Sequence, residues 1–130
     1  MKKLETYLKK EGPMSETIID VEEFLERVQD DKELLVELLD IYSGDYQTKR
    51  KQLTKAVKEK DFDEVKSISH SLKGASGNIS AKKMREIFMV IEDKSRNNDL
   101  SGVDNLLISL DKEFELLSGK IKELKEKFSK

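Results

Sequence analysis

The chain has 130 residues, 40% of them charged and 36% hydrophobic, with a formal net charge of −2. That length fits one domain around one core, and interspersed charges with no basic stripe exclude nucleic acid as an expected partner. There is no cysteine, which rules out disulfides and thiolate metal sites and agrees with a reducing compartment. No apolar run approaches the roughly 20 residues of a membrane span or resembles the core of a signal peptide, so a cytoplasmic protein is expected.

Residues 1–15 form a charged leader ending at Gly12-Pro13, with Leu4, Tyr7 and Leu8 at a spacing that permits a short helix. The remainder, 16–130, reads as one helical domain. Asp20 with Glu23 signals the start of a short helix whose apolar face is Val21, Phe24, Leu25 and Val28. Asp30 with Glu33 repeats the signal and opens a long helix carrying Leu35, Leu38, Tyr42, Tyr46, Leu53 and Val57; Ser43-Gly44 falls inside this run, where an exposed and tolerated glycine is favoured over a bend. Asp61 with Glu64 opens a third amphipathic run, Phe62, Val65, Ile68, Leu72, Ala75 and Ile79, predicted to fray at Gly77-Asn78. Ser80 is the expected cap of the next helix, with Met84, Ile87 and Ile91 as its stripe and a loop-like end at Ser95-Arg96-Asn97-Asn98-Asp99. Ser101 is the expected cap of the last helix. Its positions Val103, Leu107, Leu110, Phe114, Leu117, Ile121, Leu124 and Phe128 step by four and three, as in a coiled-coil seam. Four long amphipathic helices with short connections predict an all-α fold, an antiparallel four-helix bundle with an additional short N-terminal helix. The seam of the last helix is assigned to the bundle core rather than to a partner helix, so a monomer is expected.

The only histidine, His70, lies in the third helix within His70-Ser71-Leu72-Lys73-Gly74-Ala75-Ser76-Gly77-Asn78-Ile79. At about 100° per residue it falls nearly opposite the core stripe, in the company of Asp63, Lys66, Lys73, Gly74 and Gly77. A solvent-facing histidine at mid-helix is ordinarily inert, but its neighbours argue otherwise. Glycine inside a helix costs roughly 1 kcal/mol relative to alanine, and Gly74 and Gly77 leave bare backbone on the histidine face, as close approach of another protein requires; Gly77 reads equally well as an ordinary helix stop. Lys73, one turn on, disfavours the imidazolium and so helps to keep the ring neutral near pH 7. The same lysine is placed to pair with a phosphoryl group once the ring carries one. No set of carboxylates, serines or histidines converges as a hydrolytic or metal site would demand.

These residues carry a resemblance: the motif His70, Lys73 and Gly74, flanked by small residues and an aliphatic one, is similar to the signature of histidine-containing phosphotransfer (HPt) domains. In weaker form the resemblance extends over roughly residues 19–127. It implies a four-helix bundle that does not hydrolyse ATP and whose histidine exchanges a phosphoryl group with receiver-domain aspartates, between a hybrid sensor histidine kinase and a response regulator. It casts His70 as phosphoryl carrier and Lys73 as its charge partner, with Gly74 clearing space for the receiver. No cofactor is implied for this chain, since the Mg²⁺ belongs to the receiver. Many HPt domains have glycine where this chain has Ser80, which puts the turn geometry in question rather than the chemistry.

If the third and fourth helices form a hairpin turning near Asn78-Ile79, His70 sits at the height of Phe88, and Glu92 reaches back to that level. Glu92 is then able to accept a hydrogen bond from one ring nitrogen and leave the other nucleophilic, a role that a polar residue at this position often has in HPt domains. Met89, off the core stripe, and Phe88, on its flank, are candidate apolar contacts for a receiver. Two other readings compete: the phosphoacceptor domain of a chemotaxis-type histidine kinase, which shares the His-x-x-Lys-Gly motif, and a helical interaction module that is not phosphorylated.

Overall fold

Aspartate side chains open the first three helices of a computed structural model that describes residues 18–128; the leader 1–15 therefore lies outside the described residues. Asp20 accepts a hydrogen bond from the Glu23 amide ahead of α1 (Val21–Arg27), Asp31 from the Leu34 amide ahead of α2 (Lys32–Lys58), and Asp61 from the Glu64 amide ahead of α3 (Phe62–Asn78). Each bond satisfies one of the amides that a helix start leaves without a partner. Two more helices, α4 (Lys82–Arg96) and α5 (Val103–Phe128), complete the fold, and there is no strand among the described residues.

Three of the expected caps shift. The cap of α2 is Asp31 rather than Asp30, because Asp30 has φ 64° and belongs to the exit of α1. Ser80 is not the cap of α4. It has φ 60°, and Ala81 is the cap, with no side-chain hydrogen bond. Ser101 turns back instead, donating from its amide and hydroxyl to Asp99 Oδ1, while Gly102 at φ 75° leads into α5 and its carbonyl accepts the Leu106 amide. Gly44 is tolerated within α2, as expected, and the helix runs unbroken for 27 residues.

The long helices form a closed ring in which α2 packs on α3 and α5, and α4 packs on the same two. Cross-helix contacts fix the directions. Tyr42 and Lys49 of α2 meet Ser76 and Ser71 of α3, and Asp40 and Arg50 meet Lys125 and Asp111 of α5, so both neighbours run antiparallel to α2. Since α2 and α5 have 27 and 26 residues and α3 and α4 only 17 and 15, the hairpin α3–α4 covers part of a longer pair. The turn of that hairpin is held by α1: the Asp20 amide donates to the Ser80 carbonyl and the Ser80 hydroxyl donates to Glu23.

The core follows the expected stripes with a rotation at several helices. In α2 it takes Leu39 and Ala56, and Leu38 and Val57 are only half-buried. In α3 it adds Ser69 and Ser76, the latter sharing a 2.7 Å hydrogen bond with the buried Tyr42 hydroxyl, while Phe62 and Ala75 move to the flank. Tyr46 stacks on Phe114 at 4.0 Å between ring centroids and meets the edge of Phe88 at 6.3 Å, tying α2, α4 and α5 together. Among the described residues no helix is long and apolar enough to cross a membrane.

Candidate functional site

The tight α3–α4 turn brings the two helices into an antiparallel hairpin, so a residue nine before Ile79 on α3 faces the second half of α4. There His70 Nδ1 lies 2.8 Å from Glu92 Oε2. The two side chains contrast sharply in exposure, 69% for His70 and 5% for Glu92. Lys73 Nζ stands 2.7 Å from the other carboxylate oxygen, Oε1, in an ion pair that lies off the axis of a well-aligned hydrogen bond. Arg96 Nη2 approaches Oε2 at 3.2 Å, and its Nη1 pairs with Asp93 at 2.7 Å.

Burial alone pushes the Glu92 carboxyl up, but the hydrogen bonds from Lys73 and His70 and the charge of Lys73 outweigh it and hold the group below the usual carboxylate range. An ionised carboxylate only accepts. The hydrogen bond to Nδ1 therefore requires the proton to sit on Nδ1, which leaves Nε2 of a neutral ring with its lone pair on the exposed side. The site thus offers one oriented nucleophilic nitrogen backed by a buried anion.

Lys73 meets the same carboxylate as His70. It spans to α4 because the buried carboxylate there lacks water and draws the nearest cation. Gly74 is exposed, and a Cβ added to it would meet nothing within 4 Å, so internal packing does not demand a glycine there. Gly77 is half-buried and helical rather than a stop, and its missing Cβ makes room for Arg85, whose Cδ would lie 3.3 Å away. Both glycines line a shallow cleft with Arg27, Lys82 and Arg85. Lys66, half-buried one turn before His70, makes no ion pair with another described residue. Met89 is half-buried. Phe88 corrects the expectation of an exposed docking residue: it is fully buried against Tyr46, because α4 packs on both α3 and α5 and its buried face is wider than a three-residue stripe.

Two site residues escaped the sequence reading. Arg96 is the fourth residue after Glu92, a spacing at which helical side chains meet, but the loop-like composition of Ser95-Arg96-Asn97-Asn98-Asp99 hides that it still belongs to α4. Lys49 of α2 donates to Ser71 beside the histidine at 2.7 Å and pairs with Asp45, a contact that only the packing of α2 on α3 creates.

A helical bundle presenting a single oriented histidine is the class of protein that fold and site define. Residues 37–124, which reach from α2 to the last turns of α5, match the family model described as Hpt domain. The chain belongs to that family, the histidine-containing phosphotransfer domains. The crystal structure of histidine-containing phosphotransfer protein B (HptB) from Pseudomonas aeruginosa PAO1 matches with a TM-score of 0.79 over 85% of this chain and 96% of that one. At 20% identity the likeness to HptB is one of fold. No curated protein sequence gives a significant match.

Proposed function

We infer that this chain is a phosphoryl carrier in a multistep phosphorelay, with His70 Nε2 as the carrying atom. The observation that supports this reading is the 2.8 Å contact between His70 Nδ1 and the ionised Glu92, which holds the opposite nitrogen bare and facing outward. The Nε2 lone pair forms a bond to phosphorus as the P–O bond of a receiver's aspartyl phosphate breaks, and the aspartate leaves as a carboxylate. Return of the phosphoryl group to a second receiver reverses those bonds. Nδ1 keeps its proton throughout. Transfer of this kind needs positioning and charge stabilisation more than covalent assistance from the protein, so the receiver supplies the aspartate and Mg²⁺ and this chain a presented imidazole. Lys73 is the cation for the phosphoryl oxygens, within reach by releasing Oε1. Gly74, exposed and unfilled, leaves the receiver a close path to the ring. The partners in this reading are response-regulator receivers and a hybrid sensor kinase; the chain itself uses no ATP.

Phosphoramidate, a small donor of phosphoryl groups to histidine, provides the test. Intact mass should show one added phosphoryl group, acid-labile and absent from His70→Gln, and receiver domains with Mg²⁺ should discharge it. A folded protein that takes up no group at His70 would overturn the carrier reading and leave a helical interaction module.

A further inference from the structure

We propose that Arg96 is a positioning residue for His70, holding Glu92 ionised when Lys73 turns from the carboxylate to the phosphoryl group. The inference rests on the carrier reading and adds a residue to it. Glu92 is the hub: a buried carboxylate that receives His70 Nδ1 and Arg96 Nη2 on Oε2 and Lys73 on Oε1. Before transfer the two cations share one anion. The incoming phosphoryl group brings close to two negative charges to the outer face of the ring, and the lysine that neutralises it as it arrives is the one now on Oε1. Its departure at that moment, while the ring is still uncharged, would leave a carboxylate of 5% exposure facing only a neutral imidazole. A buried anion without a cation shifts toward its protonated form, and a protonated Glu92 no longer obliges Nδ1 to carry the proton.

Arg96 removes that conflict. It is already on Oε2 and does not share the lysine's oxygen. Guanidinium remains charged at any working pH. Its position at the last residue of α4 adds the favourable field of a helix C-terminus, which retains a cation there without help from the phosphoryl group. The groups around Glu92 are thus His70 and Lys73 from α3 and Asp93 and Arg96 from α4, and Asp93 engages only the other guanidinium nitrogen.

Two readouts test this separately. The first uses Lys73→Ala to imitate the departed lysine and reads ¹⁵N shifts of the His70 ring, which distinguish a proton on Nδ1 from one on Nε2. With Arg96 present the Nδ1–H ring should persist. Adding Arg96→Ala should mix the tautomers, Arg96→Lys should largely preserve the single one, and Asp93→Ala should leave the ring unchanged. The second readout follows charging of otherwise unaltered protein by phosphoramidate, where Arg96→Ala should slow uptake roughly fivefold, as for a partly exposed ion pair to a buried anion, with recovery in Arg96→Lys. An unchanged ring in the Lys73→Ala, Arg96→Ala protein, or equal charging with and without Arg96, would overturn the proposal. If Asp93→Ala matched Arg96→Ala, a mere surface staple would be indicated and the proposal would likewise fall. Failure of the carrier reading looks different: the parent protein itself would take up no phosphoryl group, while the tautomer experiment would still judge Arg96.

Discussion

In the carrier reading Lys73 serves two anions in turn, and before transfer only one of them, Glu92, is present. In the carrier reading, its 2.7 Å approach to Glu92 Oε1 would store the cation near the ring nitrogen that receives the phosphoryl group. Lys73→Ala should therefore leave His70 oriented, because Arg96 remains on Glu92, yet slow phosphoryl uptake about tenfold, the loss expected for one charge-assisted contact. The rate of mass increase with phosphoramidate measures this, and an unchanged rate would show that the lysine serves only Glu92. How much of this site the sequence discloses depends on which contacts are helical neighbours and which are not. His70 and its outward direction follow from the 3.6-residue period, and Glu92 from the height of a hairpin, because both are consequences of regular helices. The choice of Lys73 for Glu92 is a matter of desolvation, visible only once Glu92 is known to be buried. Phe88 was misplaced for the same reason: a stripe counted on one helix does not say how many neighbours that helix has.

At the level of elements, the connections carry the information that glycine and capping patterns misassign. The α3–α4 turn is closed by the Ala81 amide on the Ser76 carbonyl and the Ser80 amide on the Gly77 carbonyl, the paired bonds of a Schellman turn, with Ser80 in the left-handed conformation usually given to glycine. The same paired bonds follow α1, α2 and α4, with Gln29, Lys60 and Asn98 at the left-handed position. None of these four is glycine, so a search for glycine finds none of the stops and settles on Gly77 inside a helix. The glycine common at the Ser80 position in the family now has a physical reason in the positive φ. Serine is tolerated because its hydroxyl donates to Glu23 at 2.7 Å and ties α1 to the turn. Ser80→Ala keeps the strained backbone and loses that bond, so it should cost about 1 kcal/mol. Ser80→Gly loses the same bond and relieves the backbone, so it should be close to neutral. Chemical denaturation of the two variants distinguishes these outcomes, and equal losses would mean that the conformation carries no penalty here. Asp20, Asp31 and Asp61, by contrast, were nearly legible, the one-residue error at Asp31 arising where Asp30 is consumed by the preceding turn.

Across the whole molecule, the ring of four helices sets how wide each buried face must be, and α5 shows the consequence. A strict alternation of four and three selects a narrow seam through Phe114, the pattern of a helix with one partner. But α5 packs on both α2 and α4, so its buried face widens to admit Leu106 and Glu113, and Phe114 moves to the flank. Glu113 is the anomaly this creates, a carboxyl buried in the seam between Leu110 and Leu117 with Oε2 lacking a hydrogen-bond partner. Burial pushes its pKa up, and the charge of Lys83 only partly offsets this. A carboxyl whose folded pKa is raised binds its proton more tightly in the folded state, so its cost to stability is absent below the ordinary carboxylate range and grows as pH rises through the folded pKa. Glu113→Leu should then stabilise the protein by about 1 kcal/mol at pH 7, measured by urea unfolding. The margin should narrow near pH 4, where the parent carboxyl is protonated and only the added apolar contact remains. The substitution lies on α5, away from the α3–α4 contact that orients His70, so phosphoryl uptake should be unaltered. An equal margin at both pH values would assign the gain to packing alone and remove the buried charge as its cause.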